Sequence, residues 1–201
     1  MARGYHSRIL PMTTTTLTLS DALFPEAGRL GRAAEALAMS AVIAAGAQLE
    51  VVLPFSPVPL TGQTFGVLLA GILLGSRWGA AAVAAYLVEG LLGLPVFAGG
   101  AAGPVVFAGP TAGYLVGFLP AAWLSGSLAE RGWDRTPAKA AAAMLLGSSA
   151  IFACGLLNLS RFVPASHLLS AGLIPFLPGD VVKTALAAAA LPAAWKLLGR
   201  R

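Results

Sequence analysis

Charge is scarce in this sequence. Only 10% of its 201 residues are Asp, Glu, Lys or Arg, while 57% are hydrophobic. A soluble domain carries about 25% charged residues, so there is too little charge here to cover a water-facing surface. That excludes a soluble globular enzyme. Disorder is excluded as well, since it requires low hydrophobicity and high charge. Cysteine is nearly absent: Cys154 is the single one, in an apolar run, so no intrachain disulfide forms and a buried structural thiol is expected. Histidine occurs twice, at His6 and His167, with no His-Glu-x-x-His element, which excludes a metalloenzyme and leaves no metal ligands to assign. A Gly-rich loop ending in Lys-Ser/Thr is missing, so the chain does not bind ATP in that manner. No Gly-x-Ser-x-Gly element occurs, and no matched pair of broken helices marks an inverted-repeat transporter. The class left is an all-α integral membrane protein.

What is present is a series of long apolar runs. Residues 1–32 are polar and mixed, with a Thr13–Thr16 run and no apolar core of signal-peptide type. They are expected to form a mobile or amphipathic tail ahead of a membrane domain at 33–201. Six apolar segments follow, at about 33–53, 62–75, 79–94, 110–128, 138–159 and 178–198. The second is short for a span of about 20 residues, and only Ser76-Arg77-Trp78 parts it from the third.

Six transmembrane helices put both termini on one side. Of 13 basic residues, eleven then fall on that side: Arg3, Arg8, Arg29 and Arg32, then Arg77, then Arg131, Arg135 and Lys139, then Lys196, Arg200 and Arg201. Arg161 alone lies in an opposite loop, and Lys183 lies inside a span. By the positive-inside rule the termini are cytoplasmic. The pI near 10 therefore reports topology, and no nucleic acid partner is implied. The outer loops are instead rich in Gly and Pro. Such backbone persists at membrane depth only when protein or a water-filled cavity covers it, so a site for an external solute is expected at that face.

Charges away from the cytoplasmic rim are few. An Asp or Lys at the centre of a membrane helix costs roughly 2.5–3.5 kcal/mol, which makes each a functional candidate. In Pro175-Phe176-Leu177-Pro178-Gly179-Asp180-Val181-Val182-Lys183, Pro178 suits a helix start. Asp180 then lies near the positive end of the dipole, and Lys183 shares its face three residues on. The spacing admits two readings: a ligand site offering an acceptor and a cation, or an internal pair cancelling two buried charges. Glu89, near the outer end of the third segment, could serve a pocket or reach the interface. Glu50 reads as interfacial. Thr61, Gln63 and Thr64 could face a pocket or glue helices together, and Tyr114 and Phe97 could supply flat apolar walls. Small residues at Ala34, Ala38, Ala41 and Ala45 allow close helix approach, within the protein or to a membrane partner.

Four ordered motifs resemble one family. Pro54-Phe55-Ser56-Pro57-Val58-Pro59-Leu60-Thr61-Gly62-Gln63-Thr64, Gly93-Leu94-Pro95-Val96-Phe97-Ala98-Gly99-Gly100, Gly109-Pro110-Thr111-Ala112-Gly113-Tyr114-Leu115 and the run ending at Lys183 are similar to the BioY family. These are the biotin-binding S components of energy-coupling-factor (ECF) transporters. The resemblance covers about 37–198. It implies an S-component fold in the bacterial cytoplasmic membrane that binds biotin near the outer face. It implies no enzymatic activity and no cofactor, biotin being the transported ligand. A transmembrane coupling subunit and two ATPase subunits would be its partners. Asp180, Lys183, Gln63, Tyr86, Glu89, Phe97, Gly99 and Tyr114 become the expected ligand-binding set, with the loop at 54–63 as a lid. Ala34, Ala38, Ala41 and Ala45 become the expected face toward the coupling subunit. The rivals are an S component for another vitamin or small solute, an intramembrane enzyme using Asp180 or Glu89 as acid or base, and a structural membrane partner without a ligand.

Overall fold

The computed structural model describes residues 17–199. Arg3, Arg8, Arg200 and Arg201, which entered the charge count, lie outside the described residues, as do His6 and Thr13–Thr16. Helices dominate: α1 (Leu19–Leu23), α2 (Arg29–Gln48), α3 (Gln63–Leu91), α4 (Ala112–Ala129), α5 (Pro137–Leu159), α6 (Leu168–Gly172) and α7 (Leu177–Leu197). Among the described residues the one departure from helix and loop is a two-residue antiparallel pair, β1 (Glu50–Val51) with β2 (Leu60–Thr61). It closes the outer loop after α2, where β-branched Val51 and Val52 and then Pro54 end the helix.

Five helical stretches among the described residues are long and apolar enough to cross a membrane. The chain nevertheless crosses six times, because α3 is two limbs. Gly75 sits at φ 82°, ψ 177° inside it, a conformation open to glycine alone without strain. The chain doubles back there: a Cβ on Gly79 would stand 2.5 Å from the Gly71 Cα, four residues to the other side of the turn. The second and third apolar segments are thus separate spans, parted at Gly75 and not at 76–78. The N–H at the start of the second limb, without a partner inside the helix, is capped by Glu130, whose carboxylate accepts from Ser76 N at 2.7 Å and Ser76 Oγ at 2.9 Å.

Small residues carry the packing. With lipid as solvent, helices associate through close contact rather than through exclusion of water. Gly71 and Gly126 let α3 meet α4, and Gly113 and Gly117 let α4 meet α5, in each case against backbone atoms of the neighbour. On α2 the alternation is clean: Ala36, Ser40, Ile43 and Ala47 are buried, while Ala34, Ala38, Ala41 and Ala45 lie on the exposed face.

The cytoplasmic end is more ordered than a tail would be. α2 begins at Arg29, not at 33. From Leu17 onward the polar N-terminal segment joins the helical domain. Thr18 and Asp21 form a reciprocal capping box, Leu19 is buried, and Arg32 pairs with Asp21 at 2.6 Å and Glu35 at 3.1 Å. Across the same end, Trp195 Nε1 near the foot of α7 donates to Asp134 Oδ2 at 2.6 Å, and the Arg135 guanidinium lies 4.5 Å over the Trp195 ring. Burial raises the Asp134 carboxyl above the ordinary carboxylate value, against the opposing pull of the Trp195 bond and of Arg135. The native state therefore holds this proton more tightly than the unfolded chain does. The associated stability is present at low pH and is lost as pH rises through the raised value. Asp134→Asn keeps an acceptor for Trp195 and cannot ionise, so it is expected to flatten that decline, as thermal unfolding from acidic to neutral pH would measure.

Candidate functional site

At the opposite end of the bundle the loops and helix ends enclose a cavity of about 220 Å³. Its floor and sides are apolar: Phe118 of α4, Ile151 and Phe152 of α5, Tyr114, Phe97 and Phe176. Val58 and Pro59 of the outer loop also line it. That loop is held down, since Ser56 Oγ donates to the Ala171 carbonyl of α6 at 2.7 Å and Val58 is buried. The segment expected as a lid therefore lies across the chamber.

Three formal charges line the cavity: Glu50, Asp180 and Lys183. Asp180 sits in the first turn of α7, with Pro178 at the helix start, and is only 8% exposed. Lys183, one turn on, donates from Nζ to the Thr61 carbonyl at 2.9 Å and to Thr64 Oγ1 at 2.7 Å. It thereby straps α7 to β2 and the start of α3. No N–O contact within 4.0 Å joins Asp180 to Lys183. The two are close enough to interact as opposite charges without forming a contact ion pair. The buried Ser148 hydroxyl on α5 lies beside the Asp180 carboxylate.

The remaining expected residues divide. Gln63, Phe97 and Tyr114 line the cavity. Gln63 is buried at the start of α3; its side-chain nitrogen donates to the Tyr86 hydroxyl and its oxygen accepts from Thr61 Oγ1 at 3.3 Å. Tyr86 donates in turn to the Val96 carbonyl at 3.3 Å. Tyr86 thus stands behind the wall, holding Gln63 and, edge-on at 5.4 Å, Phe97. Phe97 also meets Phe107 edge-on at 5.7 Å and covers Gly90, where a Cβ would strike its ring. Tyr114 donates to the Gly172 carbonyl at 2.7 Å. Gly99 does not line the cavity; it sits at φ 64° beside lining residues Ala98 and Ala101. Glu89 is elsewhere: Ser40 of α2 donates to it at 2.5 Å, which seats the carboxylate between helices and outside the chamber.

Several lining residues were not singled out from sequence. Phe118, Ile151 and Phe152 sit in apolar runs where a cavity wall and a lipid-facing side have the same composition. Phe176 lay within a motif, and Thr111 did too. Glu50 looked interfacial, and its signal was its position as an acidic residue at the head of the Pro-rich loop.

A six-crossing helical bundle with a largely apolar chamber under its outer loops, lined by a few charged residues, defines a membrane-embedded solute-binding transport protein. The chain belongs to the BioY family, whose sequence model matches residues 14–200. It is 38% identical to the biotin transporter BioY of Rhizobium etli over 161 residues, 76% of this chain and 86% of that one. It is 39% identical to the biotin transporter BioY of Thermotoga maritima over 150 residues, 74% and 86% of the two chains. Its fold matches the crystal structure of the S-component for biotin from an ECF-type ABC transporter with a TM-score of 0.72 and 29% identity, covering 84% of this chain and 92% of the other. The likeness begins at residue 14, well ahead of the motifs.

Proposed function

We propose that this protein captures biotin at the outer face of the bacterial cytoplasmic membrane, as the substrate-specific S component of an ECF transporter, and catalyses no reaction itself. The observation that carries the reading is the pairing of Asp180 with Lys183. They line one chamber a helical turn apart, with no contact ion pair between them, among mostly aromatic and aliphatic side chains with Glu50, Gln63 and threonines beside them. Biotin offers the complement: a fused ureido–thiophane ring with N–H donors, and a valerate carboxylate. Asp180 accepts a ureido N–H, Lys183 meets a polar or charged end, and Phe97 and Tyr114 flank the rings. The BioY relatives and the biotin S-component support the same ligand. Equilibrium binding against a panel of vitamins tests it: retention of biotin alone is expected, and tighter binding of a different vitamin would replace biotin in this reading.

Energy for release comes from partners, a transmembrane coupling subunit and two ATPase subunits. The exposed alanine stripe of α2 is the face for the coupling subunit, because side chains this small admit a second helix at close range. Ala38→Trp with Ala41→Trp is expected to leave biotin binding by the isolated protein unchanged and to abolish co-purification with the coupling subunit. Loss of biotin binding in the isolated double variant would place the stripe inside the fold instead.

A further inference from the structure

The hydrogen-bond inventory of the cavity is lopsided. Two of the three N–H donors of Lys183 are spent on Thr61 and Thr64. Both ends of the Gln63 amide are engaged by Thr61 and Tyr86. The Tyr114 hydroxyl proton goes to Gly172. One Gln63 N–H and the Thr64 and Thr111 hydroxyl protons are left as neutral donors, while the charged groups that remain open are acceptors. The nine-tenths-buried Asp180 carboxylate has the Ser148 hydroxyl beside it and the Lys183 charge nearby, with lone pairs to spare. The side chain of Glu50, half-buried on β1, has no ion pair or hydrogen bond among the described residues, and yet lines the same chamber. Its place is set on two sides. β1 holds it opposite Thr61, the residue that anchors Lys183, and its Oε1 lies where a Cβ on Gly99 would approach to 3.0 Å.

Covering a carboxylate with a ligand that brings it no donor costs the full desolvation of that charge. A cavity with two open carboxylates therefore favours ligands with two donors and penalises those with one. We propose that Glu50 is a specificity-determining residue of the cavity, the second acceptor, with Asp180, for the paired N–H groups of a cyclic urea. This rests on the proposed capture of biotin. The pairing requires a donor-rich ring end and leaves the remaining Lys183 proton for the acceptor-bearing part of the ligand.

The test compares native protein with Glu50→Gln in detergent, using biotin, biotinamide (neutral tail) and 2-iminobiotin, whose cationic guanidine replaces the urea. Glu50→Gln is expected to weaken biotin and biotinamide alike by about tenfold and 2-iminobiotin by more, because a cation loses a charge partner and not only an acceptor. Gly99→Ala, which pushes on the Glu50 carboxylate without removing it, is expected to act in the same direction and to add little on top of Glu50→Gln. Unchanged affinities in a folded Glu50→Gln, with native binding intact, would overturn the role of Glu50 alone. Tighter biotin with unchanged biotinamide would overturn it too, by placing Glu50 beside the valerate. Failure of the native protein to bind biotin would overturn the underlying reading together with this one.

Discussion

Replacing Lys183 by Ala is expected to weaken biotin binding about a hundredfold. A charge-assisted hydrogen bond contributes about 1.5–3 kcal/mol, and about 1.4 kcal/mol is a factor of ten in affinity. Lys183 stands at the upper end of that range because its removal does three things at once. It deletes the only cationic side chain that lines the cavity among the described residues. It leaves the Asp180 carboxylate in a buried setting without its nearby opposite charge. It also releases the strap to Thr61 and Thr64, so α7 is no longer tied to the mouth of the chamber. Asp180→Asn keeps an acceptor oxygen and the strap, and its effect is expected to be smaller, about tenfold. Equilibrium binding on detergent-purified, folded variants measures both. Parent-like affinity in Lys183→Ala would remove this residue from the site.

The second large effect is on folding. Gly126→Ala places a methyl group 2.5 Å from Ser76 N and 2.6 Å from the Gly75 carbonyl carbon. Both are backbone atoms, and the backbone there is already committed to the reversal in α3. α4 and the tip of that turn must therefore separate, and the Glu130 cap on Ser76 moves with them. Overpacking of this kind costs about 1–3 kcal/mol, and more where nothing flexible can give. At about 2–4 °C per kcal/mol for a chain of this size, a cost at the upper end, about 3 kcal/mol, should lower the unfolding temperature of Gly126→Ala by about 6–12 °C. Gly109→Ala is the matched control, because its Cβ would meet only the Val106 carbonyl oxygen at an ordinary 3.5 Å. Equal melting of the two variants would mean that the contact at Gly126 is softer than the geometry indicates.

How much of this was legible beforehand differs by residue. The helical membrane class followed from charge scarcity, and the crossing number from where the basic residues fall, because both depend on the bilayer as solvent and not on packing. Asp180 and Lys183 stood out because ionised groups in apolar runs are costly, and the structure brings them to one chamber. Glu89 stood out for the same reason but is not in the chamber. Its cost is offset by Ser40 across a helix interface, a pairing 49 residues apart in sequence that periodicity does not reveal. Tyr86 is adjacent to the site but acts through Gln63. Phe118, Ile151 and Phe152 were invisible because hydrophobicity does not distinguish a ligand from a lipid. The first α2 turn and α1 were hidden by polar composition; a capping box and an Arg32 ion pair, not apolar periodicity, hold them in place.

The turn at Gly75 also governs which way the protein faces. Straightened, the 29 residues of α3 would form one rod of about 44 Å, longer than the hydrocarbon core of about 30 Å, and the chain would cross an odd number of times. Every element after it would change sides. Asp180 and Lys183 would open to the cytoplasm while α2 kept its orientation, and the basic connection at 131–139 would be stranded outside. One left-handed glycine thus sets the parity of the chain, and with it the direction in which solute can be captured.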